Sequence, residues 1–336
     1  MSTLFGRELE QRQLIELLNE ARLGAARSVV IIGEPGIGKT ALMDWISRQA
    51  NGCRVLRVRG DEADIATSHL VLRQLLRPII DHVDRLDDHL AETLRSAIGL
   101  TGAPCNEGLV PLAVLELLSV ASDASPIVLL LDDAHWFDHA SLRTLLFVAR
   151  RALTERIFLA FAVRPHEVAQ PQLLDSLPHL ELVGLAARAS EAVLESSGRV
   201  LSVETMRQCN GNPLALLHLS SEPATAGGHP DARQQLPARL QADFRRTIEK
   251  LPADCRVALG LFAVAGSVPA EVGARALARL GVSGDALEPA VAAGVVAADG
   301  TFRHPLWGAA AMPERAQAAT VHDALADAYG DDERLT

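Results

Sequence analysis

At 336 residues the chain is long enough for two or three domains of roughly 100–200 residues each. A net charge of −10 weighs against non-specific attraction to nucleic acid or an anionic membrane, and with aromatics at 4% the core must be built mainly from Leu, Val, Ile and Ala. Cys53, Cys105, Cys209 and Cys255 stand far apart, with no CxxC pair and no histidine at metal-ligand spacing, so they read as buried or incidental thiols of a reducing compartment.

The segment Met1-Ser2-Thr3-Leu4-Phe5-Gly6-Arg7-Glu8 lacks the basic-then-apolar layout of a signal peptide. No apolar run reaches the roughly 20 residues needed to span a bilayer, so the expected location is cytoplasmic, with no membrane partner. Leu9, Leu14, Leu17, Leu18 and Ala21 recur at helical spacing and predict an amphipathic helix over residues 8–23. The β-branched run Ser28-Val29-Val30-Ile31-Ile32 predicts a buried strand ending at Gly33, followed by a helix from Lys39 to Ala50 and a second strand over residues 54–58. Residues 68–123 are helical in pattern, with interruptions at Pro78, around residues 99–108 and at Pro111. Strands are predicted over residues 126–131 and 156–163, with a helix over 140–153 between them, and a fifth strand over 179–183. Continuous apolar strands separated by helices mean a parallel sheet covered on both faces. Beyond Leu185 the pattern becomes helical. Residues 222–230 form a polar linker, and the Asp299-Gly300 turn predicts a β-hairpin over residues 295–303.

Gly33-Glu34-Pro35-Gly36-Ile37-Gly38-Lys39-Thr40 fits GxxxxGK[ST] and lies between a predicted strand and a predicted helix. Its glycines let backbone N–H groups turn inward around phosphate oxygens, and the helix N-terminus adds partial positive charge. Lys39 is placed to reach the β- and γ-phosphates and the Thr40 hydroxyl to ligate Mg2+, so residues 33–41, Ala41 included, are the expected contacts for ATP or ADP. Only Lys39 and Lys250 are lysines among 32 basic residues, which puts the odds of a chance match at about one in a thousand. Ile127-Val128-Leu129-Leu130-Leu131-Asp132-Asp133 fits the Walker B strand of such proteins. Asp132 is the expected magnesium ligand, and Asp133 the carboxylate that orients or deprotonates the attacking water. Arg164 ends the fourth strand, where a guanidinium can sense the γ-phosphate; the alternative is a surface arginine before a Pro165 turn.

Phe5-Gly6-Arg7-Glu8, GEPGIGKTAL (33–42), VLLLDDAHWFDHASL (128–142), AVRP (162–165), GNPLAL (211–216) and FRHPLW (302–307) together resemble the STAND class, signal-transduction ATPases with numerous domains. Within it the chain looks like the ATPase core of the large ATP-binding regulators of the LuxR family, a resemblance that runs over essentially its whole length. The resemblance implies an α/β P-loop NTPase domain of the ASCE/AAA-like kind at residues 1–185, a helical lid with linker at 186–230 and a winged-helix domain at 231–336. It implies that Gly6 and Arg7 lie against the adenine-ribose end of the nucleotide, that Pro213 packs on the adenine, and that His304 contacts the β-phosphate of ADP.

Two departures stand out. Regulators of this kind continue through a sensor region to a DNA-binding helix-turn-helix, whereas this chain stops near where the winged helix should end, as a shortened form or a naturally short relative. Residues 232–336 hold 11 basic and 13 acidic residues, so direct DNA binding by this segment is not expected. The expected function is a nucleotide-controlled switch with slow hydrolysis: ADP holds a closed form and ATP licenses self-association. A P-loop phosphotransferase acting on a small acceptor, or a nucleotide-binding module without hydrolysis, are the alternatives.

Overall fold

In a computed structural model the chain is described over residues 4–164, 174, 176–201, 203–218, 238–266, 268–297, 300–303 and 305–333. The 222–230 linker, Asp299 of the expected hairpin turn, Pro165 and His304 lie outside the described residues. Two units pack separately. One comprises Met1–Glu34 with Gly38–Val183, and the other Pro35–Ile37 with Gly184–Thr336.

The first unit opens with α1 (Glu8–Arg22), which buries Leu14, Leu18 and Ala21 at helical spacing. There follow β1 (Arg27–Gly33), α2 (Lys39–Gln49), β2 (Arg54–Arg59) and α3 (Leu70–Leu76). A 3-10 run at Arg77–Arg85 then takes Pro78 in its first turn. After α4 (Asp88–Ala97) comes α5 (Val110–Ser122). Pro111, expected as an interruption, sits in the first turn of α5, where its missing N–H breaks no intrahelical bond. β3 (Ile127–Asp132), α6 (His139–Arg151), β4 (Ile157–Val163) and β5 (His179–Leu182) complete the unit.

The five strands form one sheet in the order β2-β3-β4-β1-β5, and every pairing is parallel. Every residue of β3 and β4 is buried, as strands covered on both faces must be. Burying each such Val, Leu or Ile contributes about 1.5–3 kcal/mol relative to exposure. Edge strand β5 instead alternates exposed and buried. The register sets Arg59 beside Asp132 and Ile32 beside Val163, so β1, β2, β3 and β4 all end at one rim of the sheet.

In the second unit the described elements are α7 (Ala187–Ser196), α8 (Val203–Gln208), α9 (Pro213–His218), α10 (Ala238–Glu249), α11 (Ala253–Ala265), α12 (Ala270–Arg279), α13 (Glu288–Ala292), α14 (Pro305–Ala311) and α15 (Arg315–Glu333). Phe244 and Trp307 meet edge-to-face at 4.4 Å in a core that also holds Cys209 and Cys255. Burial pushes the Cys209 thiol up to about 11, leaving it an apolar side chain and not a nucleophile at neutral pH. A second core joins α11, α12 and α15 through Leu261, Val272, Leu277 and Leu325. Among the described residues of the predicted hairpin there is an antiparallel bridge, Val296 with Phe302, supported by Ala297 N–H to the Thr301 carbonyl at 2.7 Å. Gly300 at φ 81 supplies the left-handed conformation there. Among the described residues no helix is long and apolar enough to cross a membrane.

Candidate functional site

β1 ends at Gly33, and α2 begins only six residues later, so the intervening backbone must turn tightly. Gly36 at φ 79 and Gly38 at φ 108 make the turn, and Gly38 caps α2 in a left-handed conformation that a side chain rarely tolerates. Lys39, only 6% exposed, donates from Nζ to the Gly33 carbonyl at 2.5 Å and to the Glu34 carbonyl at 2.9 Å. Its ammonium is thereby held over the loop at the N-terminal end of α2, where an anion gains from both the charge and the exposed N–H groups. Thr40 and Ala41 occupy the first turn of α2, both half-buried, and Ile37 is buried.

The β3 terminus comes to the same place. Thr40 Oγ1 donates to Asp132 Oδ1 at 3.3 Å, and Asp132 is fully buried. Asp133 follows at φ 50, ψ 43, a left-handed conformation that costs a non-glycine residue about 1–3 kcal/mol. Its carboxylate accepts two hydrogen bonds on Oδ2, from Arg59 Nε at 2.8 Å and Nη2 at 2.6 Å. Arg57 reaches Asp132 Oδ2 from Nη2 at 3.4 Å and pairs with Asp44 through Nη1. Gly60, just past β2, donates its N–H to the Asp132 carbonyl at 2.9 Å.

Arg164 follows β4, the strand lying between β1 and β3, and is 7% exposed at the same rim. Arg7 is also buried; it pairs with Glu10 at 2.9 Å and donates from Nη2 to the Val183 carbonyl at 2.7 Å, tying the start of α1 to the residue after β5. Gly6 precedes it at φ 67, its N–H bonded to Glu8 Oε1 at 3.1 Å. Pro213 is the half-buried first residue of α9. Asn212 before it is fully buried and caps that helix, Oδ1 accepting from Leu214 N at 3.1 Å and Ala215 N at 3.2 Å. Its amide donates to the Pro35 carbonyl at 2.9 Å, and Leu214 N to the Gly36 carbonyl at 3.3 Å, so residues 35–37 pack within the second unit.

Arg57, Arg59, Gly60 and Asn212 were not among the residues singled out by sequence. The two arginines alternate on β2, but their meaning depends on β2 pairing with β3, which no local pattern states.

Residues 3–161 match the family model described as AAA ATPase domain, a little under half of the chain. With the parallel sheet and the loop geometry, that decides the class of the first unit. It is an α/β P-loop NTPase domain. No curated protein matches the chain. Among solved structures, one similar chain is a signal transduction ATPase with numerous domains (STAND) protein with a tetratricopeptide repeat sensor, from Pyrococcus horikoshii. It is 17% identical with a TM-score of 0.41, over 90% of this chain and 41% of its own. The present chain thus spans well under half of that protein's length.

The P-loop residues fit a magnesium nucleotide. A hydroxyl and a buried carboxylate 3.3 Å apart, Thr40 and Asp132, are the hard oxygen donors Mg2+ takes, and Lys39 stands with the glycine turn where phosphate charge needs compensation.

Proposed function

We propose that this chain is a nucleotide-controlled switch of the STAND type that binds ATP or ADP with Mg2+ and hydrolyses ATP slowly. The observation that carries the reading is the convergence of Gly33, Lys39, Thr40, Asp132, Asp133 and Arg164 on one rim of the sheet, with Thr40 hydrogen-bonded to Asp132 at 3.3 Å. Thr40 and Asp132 would hold Mg2+, which supplies charge neutralisation at the phosphates. Lys39 binds the β- and γ-phosphates, Asp133 orients and deprotonates the water, and Arg164 answers the γ-phosphate charge.

Hydrolysis is slow in this reading because Asp133 is engaged. Both hydrogen bonds from Arg59 fall on one oxygen of the carboxylate expected to take a proton, so that oxygen must give up a partner before it can accept from water. A carboxylate so held suits a switch that must keep its triphosphate for some time.

The finer assignment rests on the order of the sequence motifs. It makes the chain the regulatory core of a LuxR-family transcription regulator, with a helical lid at residues 186–230 and a winged helix at 231–336, self-associating with ATP bound. Pro213 and His304 are assigned to adenine and β-phosphate on the same basis.

The deciding experiment has two parts. Nucleotide released by denaturing the purified protein is identified by chromatography, and ATP cleavage is followed in a single turnover for wild type and Lys39→Ala. ADP or ATP near one per chain, with slow cleavage lost in Lys39→Ala, is the expected result. Wild-type ATP affinity in Lys39→Ala would refute the phosphate-site assignment, since removing that cation should cost several-fold at the least.

A further inference from the structure

Away from the P-loop, the first unit gathers three side chains that sequence spacing keeps apart. His69 stands directly before α3, whereas Cys105 and Glu107 lie in the segment between α4 and α5. Among the described residues they form the one group of three metal-ligating side chains whose donor atoms all lie within 4.8 Å of one another. His69 Nε2 is 2.9 Å from Glu107 Oε2, and Cys105 is a half-buried free thiol.

The histidine is held in an uncommon way. Its backbone is left-handed, φ 60 and ψ 11, a conformation that persists in a non-glycine residue only when its surroundings impose it. They do so here. The buried carboxylate of Asp138 accepts from His69 N at 2.9 Å, from Val71 N at 3.2 Å and from Ser141 N at 2.9 Å, and the His69 carbonyl accepts from Arg73 N at 2.9 Å. The imidazole is thus 5% exposed, and its Nδ1 is buried with no hydrogen-bond partner. Nε2, the nitrogen 2.9 Å from Glu107 Oε2, is the one that meets the group, and a preset imidazole is what a metal ligand requires.

The donor set chooses the cation. One imidazole nitrogen, one sulfur and one carboxylate oxygen suit Zn2+, whereas Mg2+ and Ca2+ take oxygen donors alone. With metal–ligand distances of about 2.0–2.3 Å, tetrahedral donors stand roughly 3.3–3.7 Å apart, within the span seen here. The His69–Glu107 pair must open by a few tenths of an ångström, and the Glu107 side chain, 65% exposed, can move that far cheaply.

We propose that His69, Cys105 and Glu107 form a binding site for a zinc-type divalent cation, completed by water as fourth ligand, which fastens the segment between α4 and α5 to the start of α3. The thiol proton leaves to solvent as the metal binds. This site does not depend on the nucleotide reading.

The full chain, stripped with chelator, is titrated with Co2+ and followed by absorbance. We expect one equivalent to give a thiolate-to-cobalt charge-transfer band with tetrahedral visible bands, both removed by stoichiometric Zn2+. Cys105→Ser should abolish the charge-transfer band, while Cys53→Ser and Lys39→Ala leave it intact. Glu107→Gln, an exposed change that spares the fold, should weaken Zn2+ at least about 10-fold, since even outer-shell partners are worth that much. Absence of the thiolate band in wild type, or unchanged Zn2+ affinity in Glu107→Gln, would overturn the site.

Discussion

Replacing Gly60 by alanine tests the geometry of the β3 terminus without touching a polar group. A methyl there would lie 2.4 Å from the Asp133 carbonyl oxygen, 2.9 Å from Trp136 Cβ and 3.0 Å from Phe137 Cδ1. Carbon–oxygen contacts ordinarily begin near 3.3 Å, so the two backbones must part by about 0.9 Å. No rotamer relieves this, because the nearest obstacle is main chain. The Asp133 carbonyl also accepts from Trp136 N at 2.9 Å, so the whole turn moves with it. Overpacking of this kind costs about 1–3 kcal/mol, which for a domain of this size lowers Tm by about 2–12 °C. The larger effect falls on chemistry: a catalytic group displaced by nearly 1 Å loses about 100-fold in rate. Gly60→Ala should therefore cut single-turnover ATP cleavage about 100-fold while nucleotide affinity, which the proposed function assigns to the P-loop, changes only a few-fold. Gly102→Ala is the control, since nothing lies within 4 Å of its added methyl. Wild-type cleavage and Tm in Gly60→Ala, or equal losses in Gly102→Ala, would refute the reasoning.

Asp132→Asn should weaken the magnesium dependence of binding, whereas Asp133→Asn should keep Mg·ATP and slow cleavage, because a carboxamide cannot take a proton; identical defects with unchanged magnesium titrations would undo that division. Arg59→Ala should speed cleavage by up to about five-fold, since an ion pair whose arginine side chain is 47% exposed is worth at most about 1 kcal/mol. A slower Arg59→Ala enzyme would instead make the arginine a positioning residue for Asp133. His304→Ala should weaken ADP about 10- to 100-fold, the loss of one charge-assisted contact of roughly 1.5–3 kcal/mol, and ATP less. Calorimetry giving equal losses for both nucleotides, or none, would remove His304 from the switch.

The phosphate loop was legible in the sequence because its chemistry is local. A buried strand, three glycines, Lys39 and Thr40 lie within about a dozen consecutive residues, so the strand, the tight turn and the helix start all show in one short stretch. The strands were legible for a similar reason: being covered on both faces, β3 and β4 are apolar throughout, and their bounds fall within a residue of expectation. What the sequence left open is which strands are neighbours. Insertion of β4 between β1 and β3 brings Arg164 to the rim that holds Lys39 and Asp132, and pairing of β2 with β3 sets Arg59 on Asp133 and Gly60 against its carbonyl. The histidine–cysteine–glutamate group is the clearest case. Read along the chain, Cys105 has no histidine at ligand spacing, yet Asp138 anchors His69 from 69 positions away and chain folding brings it to Cys105 and Glu107. Periodicity and motifs report interactions within one element or turn. Side chains joined by three separate segments leave no periodic trace, so only packing of the whole unit decides that they meet.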